Sequence, residues 1–190
     1  MAVNLAKGQK VDLTKNHKGL RNIIVGLGWD VNKYDDGDFD LDAAAFLLTG
    51  SDKVRSDSDF VFYNNLSGGG GSVKHTGDNR TGEGEGDDEQ LTVDLAGVPA
   101  DVEKVAFTIT IADDTGSKTF GQVSNAFVRI VDEATNEELI RYDLGEDYSV
   151  ETAVVVGELY RHSGEWKFAA VGSGFEGGLA ALCGAYGIQV

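Results

Sequence analysis

Short segments in which apolar and polar residues alternate recur along the whole chain, and turn residues separate them. The clearest is Lys104–Ala112, where Phe107, Ile109 and Ile111 alternate with threonines. A period of two places one set of side chains on each face of a β-strand. About ten such segments occur at nearly regular spacing, without the long amphipathic segments that a parallel sheet needs for its crossover helices. The pattern predicts an all-β chain with few short helices, folded as an antiparallel two-sheet β-sandwich.

The turn residues set the bounds of the predicted elements. Strands are predicted at residues 22–30, 36–49, 60–65, 89–95 and Lys104–Ala112, hairpins at residues 126–132 with 138–144 and at residues 150–161 with 165–171, and a helix at Gly178–Tyr186. Residues 3–13 alternate on both sides of Gly8, which predicts a short hairpin or a bent strand. We expect one domain over residues 1–190, because a chain of this length buries about 70% of its unfolded surface and no linker divides it.

The charge balance restricts the possible partners. The formal net charge is −16, from 32 acidic and 16 basic residues. Nucleic acids and anionic membrane surfaces bind basic patches, so neither is an expected partner, whereas cations are. The amino terminus lacks the apolar core of a signal peptide, and no stretch approaches the ~20 apolar residues of a membrane span. We therefore expect a cytoplasmic protein without direct membrane insertion, in which the single cysteine, Cys183, is a buried thiol.

Residues 78–89 form an acidic, glycine-rich stretch directly before a predicted strand. Six of these twelve residues are acidic, and glycine recurs at Gly82, Gly84 and Gly86. Glycine lets the backbone turn its carbonyls inward, and Ca²⁺ takes six to eight oxygen ligands from carboxylates, carbonyls and water. Two carboxylates about 6 Å apart repel by roughly 0.7 kcal/mol even at the dielectric constant of water. The stretch therefore predicts a site that a cation stabilises.

A second acidic window covers residues 30–42, and the two windows together hold twelve of the 32 acidic residues. Asp38, Asp40 and Asp42 alternate with Phe39 and Leu41. In an extended chain the three carboxylates fall on one side, about 7 Å apart, and the apolar residues fall on the other. This pattern predicts a strand with one face in the core and one face of oxygen ligands.

Four segments, in this order, resemble the TerD family of tellurite-resistance and stress proteins: residues 26–30, 39–43, 77–89 and 120–126. The resemblance spans nearly the whole chain, and the thirteen-residue acidic segment is its most specific part. It implies a bacterial cytoplasmic β-sandwich that binds calcium through acidic loops. It also implies work beside other tellurite-resistance proteins, including an integral membrane partner that would hold the protein at the inner membrane.

Both windows contribute to the predicted calcium ligands. The candidates are the side chains of Asp30, Asp40, Asp42, Asp78, Asn79, Asp88 and Glu89 and the backbone carbonyls of Gly82 and Gly84. Asp38 and Asp87 are left open between a ligand and an outer charge. Asp78 and Glu89 are spaced like positions 1 and 12 of an EF-hand loop, but Arg80 at position 3 and the flanking strands exclude that motif. Mg²⁺ is less suited because it retains its waters.

Two alternatives stay open at this point. The paired carboxylates of the two windows resemble what a glycosidase uses, and residues 172–177 satisfy G-x-G-x-x-G between a strand and a helix, as a nucleotide-binding turn would. Only 13 residues follow Gly177, so a tight turn into a packed helix is the simpler interpretation. His17, His75 and His162 lack the spacing of a zinc site and are expected to be solvated. We predict a non-enzymatic, calcium-binding scaffold component of a tellurite-resistance and stress-response system.

Overall fold

Two β-sheets pack face to face in the computed structural model, which describes residues 2–31, 40–76, 87–112, 118–144 and 151–189. The strands are β1 (Val3–Leu5), β2 (Lys10–Asp12), β3 (Asn22–Val31), β4 (Asp40–Leu48), β5 (Phe60–Val61), β6 (Ser67–Gly68), β7 (Val73–His75), β8 (Glu89–Asp94), β9 (Lys104–Ala112), β10 (Val123–Asp132), β11 (Glu137–Asp143), β12 (Ala153–His162) and β13 (Glu165–Phe175). One α-helix, α1 (Gly178–Tyr186), follows β13. Short 3₁₀ turns lie at Asp57–Asp59, Gly69–Gly71 and Phe120–Gln122.

The strand order explains how distant parts of the chain meet. The seven-stranded sheet has the order β1-β11-β10-β3-β8-β7-β6, and the six-stranded sheet has the order β2-β13-β12-β9-β4-β5. Among the described strands, β1 and β11 pair in parallel and the other neighbours are antiparallel. The predicted antiparallel two-sheet β-sandwich is therefore confirmed.

The period of two in the sequence determines which side chains fill the core between the sheets. Leu41 and Ala43 of β4 and Ile109 of β9 point inward and are fully buried, as are Leu91 of β8 and Val25 of β3. Burying apolar surface in this way contributes about 25 cal/mol per Å². The long central strands are thereby held in one register.

A second core lies on the outer face of the six-stranded sheet, where α1 covers it. Ala44 and Phe46 of β4 pack there with Leu182 and Cys183 of the helix. Phe46 stacks on Phe60 with ring centroids 4.5 Å apart. Cys183 is fully buried, as predicted, and burial raises the pKa of its thiol. No helix among the described residues is long and apolar enough to cross a membrane.

Two predicted elements differ from the structure. Of the two alternatives for residues 3–13, the hairpin is wrong and the bent strand is the nearer description, because β1 pairs with β11 in one sheet and β2 pairs with β13 in the other. Gly8, with φ of 83°, lies where the chain passes from one sheet to the other. The strand predicted at residues 60–65 ends at Val61, since Phe62 and Asn65 hydrogen-bond to each other across a turn.

Candidate metal centre

One end of the sandwich, which we call the acidic end, carries Asp30, Asp42, Asp87, Asp88 and Glu89. It forms where β3 ends and β4 and β8 begin. The pairing of Leu27 with Glu89 aligns β3 and β8 at this end. Described residues of this end also flank segments 32–39, 77–86, 113–117 and 145–150, whose sequences hold ten of the 32 acidic residues. The predicted ligands Asp78, Asn79, Gly82 and Gly84, and the open candidate Asp38, lie outside the described residues.

Asp88 extends the ladder between β3 and β8 with its side chain. Its backbone N–H donates to the carbonyl of Leu27 at 2.8 Å, and its Oδ2 accepts the backbone N–H of Trp29 at 2.8 Å. The carboxylate thus takes the place of a strand carbonyl at the point where regular pairing stops. Asp88 is therefore anchored at the end of the sheet.

The electrostatic surroundings of Asp88 disfavour its charge. Burial raises the pKa of Asp88 most strongly, the hydrogen bond from Trp29 lowers it, and the carboxylates of Asp30 and Asp87 raise it further, with a net rise. Asp30 and Asp88 therefore interact across β3 and β8, and a cation between them would reverse the sign of that repulsion. The donors are oxygen atoms, which fits the ligand preference of Ca²⁺.

Asp30 is held in place by an asparagine on the neighbouring strand. Nδ2 of Asn125 donates to Oδ2 of Asp30 at 2.7 Å. Asn125 has φ of 52° and lies in an irregularity of the β3–β10 pairing between Ser124 and Phe127. Asparagine tolerates this left-handed conformation better than most residues. The irregularity thus places the side-chain amide of Asn125 within hydrogen-bonding distance of the predicted ligand Asp30.

Asp40 and Asp42 lie at the start of β4, at the same end of the sandwich. Asp40 pairs with Ala112 and Asp42 with Thr110, and only the backbone of Asp40 is described. Asp42 is buried on the face of β4 that also carries Ala44, opposite Leu41, as the alternation predicts. The structure brings Asp42 to the acidic end on the outer face of its sheet, whereas Asp30 and Asp88 belong to the other sheet.

Asp87 is buried in an ion pair. Its side chain is 1% exposed. The guanidinium of Arg129 on β10 forms a bidentate ion pair with it, with Nε–Oδ1 and Nη2–Oδ2 distances of 2.7 and 2.9 Å. Nε2 of Gln90 donates to the same carboxylate at 2.9 Å. Gly26 of β3 pairs with both Arg129 and Gln90, so it forms the floor beneath this carboxylate. Asp87, left open by the sequence, thus accepts three hydrogen bonds from the side chains of Arg129 and Gln90.

Glu89 turns into the space between the sheets. It is 2% exposed, and its Oε2 accepts the backbone N–H of Ala43 on β4 at 2.5 Å and lies 3.2 Å from Nε2 of His75 on β7. Strand β5 pairs with β4 at Ala45 and Phe46, and Ala43 lies outside this pairing. The backbone N–H of Ala43 donates to Glu89 instead of to a β5 carbonyl. The prediction that His75 is solvated is wrong, because it is buried beside Glu89.

Sequence reasoning missed the supporting residues Asn125, Arg129 and His75. Asn125 lies in the family-like segment 120–126 but was given no role, and His75 shares the inward face of β7 with buried Val73. Within the part of the chain that the structure describes, no group of three His, Cys, Asp or Glu residues is arranged to hold a metal ion. The predicted ligand set also draws on segments 32–39 and 77–86, and it stays a prediction.

The structure also shows the surroundings of the G-x-G-x-x-G segment, on which the nucleotide-binding alternative rests, and a cavity away from the acidic end. Residues 172–177 run from the end of β13 into the start of α1, and β13 pairs antiparallel with β12, so a dinucleotide-binding βαβ unit is not formed by these described elements. A cavity of about 490 Å³ lies at the end of the six-stranded sheet opposite the acidic end, with Lys104 and Tyr160 in its wall. Two of its carboxylates, Asp52 and Asp101, are already paired with Lys104 and Arg55.

Comparison with known proteins identifies the family of this two-sheet sandwich. The TerD domain family matches residues 1–186, and the chain belongs to that family. General stress protein 16U of Bacillus subtilis (strain 168) is 64% identical over 192 residues, covering 100% of both chains. Tellurium resistance protein TerD of Serratia marcescens is 57% identical over 190 residues, covering 100% of this chain and 99% of the relative. The resemblance found in the sequence is therefore confirmed.

The fold is also shared with solved structures. The crystal structure of a protein of unknown function, SAV2460, superposes with a TM-score of 0.73 at 26% identity, and the match covers 91% of this chain and 100% of that chain. The sandwich described here is thus an experimentally observed arrangement of strands.

Proposed function

We propose that this protein is a calcium-binding, non-enzymatic component of a bacterial tellurite-resistance and general stress-response system, and that it acts as a scaffold beside an integral membrane partner. The observation that carries the calcium proposal is the setting of Asp88, where burial first, and then the nearby carboxylates of Asp30 and Asp87, raise its pKa in a site made of oxygen donors. The stress and tellurite assignment draws on the names of the full-length relatives.

In this proposal Asp30 and Asp88 bind the ion directly from the seven-stranded sheet. Asp40 and Asp42 from β4, and Asp78, Asn79 and the carbonyls of Gly82 and Gly84 from the acidic segment, stay predicted ligands. Tellurite is an oxyanion, and a chain of net charge −16 with one cysteine offers neither the charge nor the thiolates to bind and reduce it. A role in resistance would therefore run through calcium and a partner.

Calorimetric titration of the calcium-free protein with Ca²⁺ is expected to show saturable binding. Ligand at a hundredfold excess over Kd adds about 2.7 kcal/mol of stability, because it binds the folded state alone. For a chain of this size that corresponds to a rise in Tm of about 5–11 °C. Asp88→Asn, which keeps an oxygen acceptor for the Trp29 N–H, is expected to weaken calcium binding at least tenfold. A wild-type titration with no heat and no shift in Tm would overturn the proposal.

The scaffold role predicts a calcium-dependent partner. Affinity purification from detergent-solubilised, tellurite-stressed cells is expected to recover an integral membrane protein in Ca²⁺ and to lose it in a chelator, because the ion neutralises the carboxylates that repel each other at the acidic end. Asp88→Asn serves as the matched control and should not recover the partner in either condition. If the same amount of partner were recovered with and without calcium, partner binding would not depend on the calcium site, and the calcium-dependent scaffold role would be wrong.

The same preparations test the hydrolase alternative. A carboxyl group with a raised pKa beside a second carboxylate is what a glycosidase uses as its acid, so Asp88 beside Asp30 gives that alternative a physical basis. Hydrolysis of chromogenic glycosides that Asp88→Asn abolishes would replace the proposal of a non-enzymatic protein.

A further inference from the structure

Three consecutive acidic residues, Asp87, Asp88 and Glu89, point in three different directions at the start of β8. Asp87 is gripped on the outer face of the seven-stranded sheet, and Glu89 is held between the sheets. Asp88, between them, accepts the Trp29 N–H at the end of the sheet. We infer that Asp87 and Glu89 are positioning residues that fix Asp88 for the ion, and that Glu89 is not itself a calcium ligand. This inference rests on the proposed calcium function.

The contacts of Glu89 are those of a brace between the two sheets. It lies on β8 of the seven-stranded sheet, and the N–H that it accepts belongs to Ala43 on β4 of the six-stranded sheet. His75, on the neighbouring strand β7, lies against the same oxygen and is 5% exposed. A hydrated cation that used this oxygen would have to displace a buried backbone donor, which costs the desolvation of that donor. Glu89 thus ties β8, which begins directly after Asp88, to β4, the strand that bears Asp42.

The contacts of Asp87 anchor the other side of Asp88. The bidentate pair with Arg129 reaches across β3, because β3 lies between β8 and β10 in the sheet. Planar bidentate pairs of this kind restrict orientation as well as position. With Asp87 fixed outward and Glu89 fixed inward, the residue between them has little freedom. Asp88 is therefore placed beside Asp30 before any ion arrives.

Substitutions at Glu89 separate a brace from a ligand. Glu89→Gln keeps an oxygen that can accept the Ala43 N–H but removes the negative charge that a calcium ligand supplies. A brace predicts that Glu89→Gln binds Ca²⁺ within about threefold of the wild type, while Glu89→Ala and His75→Ala lose about tenfold. Asp88→Asn, the matched loss of charge at the neighbouring residue, should lose at least tenfold. The inference would be overturned if Glu89→Gln weakened calcium binding as much as Asp88→Asn does. It would also be overturned if His75→Ala left calcium binding unchanged.

Amide hydrogen exchange gives a readout that does not need calcium. In the calcium-free protein, Glu89→Ala is expected to speed exchange at the Ala43 amide and also at the Trp29 amide, which bonds to Asp88 rather than to Glu89. Glu89→Gln should leave both amides protected. The Arg161 amide, which donates to the carbonyl of Glu103 at the other end of the sandwich, is the internal control. A Trp29 amide that does not respond would show that Glu89 does not position Asp88.

The two proposals can fail separately. If the wild type does not bind Ca²⁺, the proposed function fails, and the exchange measurements still decide whether Glu89 positions Asp88. If the wild type binds Ca²⁺ but Glu89→Gln does not, the calcium function holds and Glu89 is a ligand.

Discussion

Arg129→Met is expected to lower the free energy of unfolding of the calcium-free protein by about 3 kcal/mol, because it leaves the buried carboxylate of Asp87 without its cation. The side chain of Asp87 is 1% exposed, and of the three hydrogen bonds that it accepts from described residues only the one from Gln90 survives. For a chain of this length the loss corresponds to a fall in Tm of about 6–12 °C. Chemical denaturation followed by tryptophan fluorescence measures it directly.

Arg141→Met is the matched control for this change. Arg141 lies on the adjacent strand β11 and also pairs with an aspartate, Asp143, but that carboxylate is 64% exposed and water can solvate it. Its loss is expected to cost less than about 1 kcal/mol. Adding Asp87→Asn to Arg129→Met should recover at least half of the lost stability, since the buried charge is removed. Equal effects of the two arginine substitutions would show that the Asp87 pair is not a buried one in solution.

Gly26→Ala is expected to destabilise the protein by a similar amount, about 3 kcal/mol, although it adds a single methyl group. A Cβ at this position would lie 2.2 Å from Oδ2 and 2.3 Å from Cγ of Asp87. The aspartate is short and is held by Arg129 and Gln90, so it cannot move aside without breaking the ion pair. The substitution therefore combines a steric clash with the loss of a buried pair, and thermal denaturation should report both.

A double-mutant cycle identifies the cause of the Gly26→Ala effect. In an Asp87→Ala background the same substitution should cost less than about 0.5 kcal/mol, because the atoms it meets are gone. Gly184→Ala is the control for adding a methyl group at a glycine. Gly184 lies in α1 with open space around its Cβ position, so the change should stabilise the protein by about 0.5–1 kcal/mol. Additive effects of Gly26→Ala and Asp87→Ala would contradict the proposed contact.

The fold was predictable because the period of two in the sequence already assigns side chains to faces. Leu41 and Asp42 lie on opposite faces of β4, as their alternation predicts, and Asp30 and Asp88, one from each acidic window, come to the same end because β3 and β8 pair. The inward position of Glu89 was also present as a signal, since it lies in phase with Leu91 and Val93, which are buried. Its charge suggested a ligand, and the pattern indicated a buried residue.

The ion pair of Asp87 was not predictable from the sequence. The alternation places Arg129 on the outer face of β10, between the inward residues Val128 and Ile130, but it does not say which carboxylate lies nearby. That depends on the strand order β10-β3-β8, which brings together residues 42 positions apart in the chain. The partner follows from topology, and a short-range pattern carries no information about topology.

The floor that Gly26 provides beneath Asp87 constrains the order in which this protein can change during evolution. A lineage that replaces Gly26 first passes through an intermediate that has lost much of its stability, because Asp87 is still in the way. A lineage that first loses Asp87 can then accept a side chain at position 26 at little further cost. Among descendants of such a protein, a larger residue at position 26 should therefore be found only where the aspartate at position 87 has already gone.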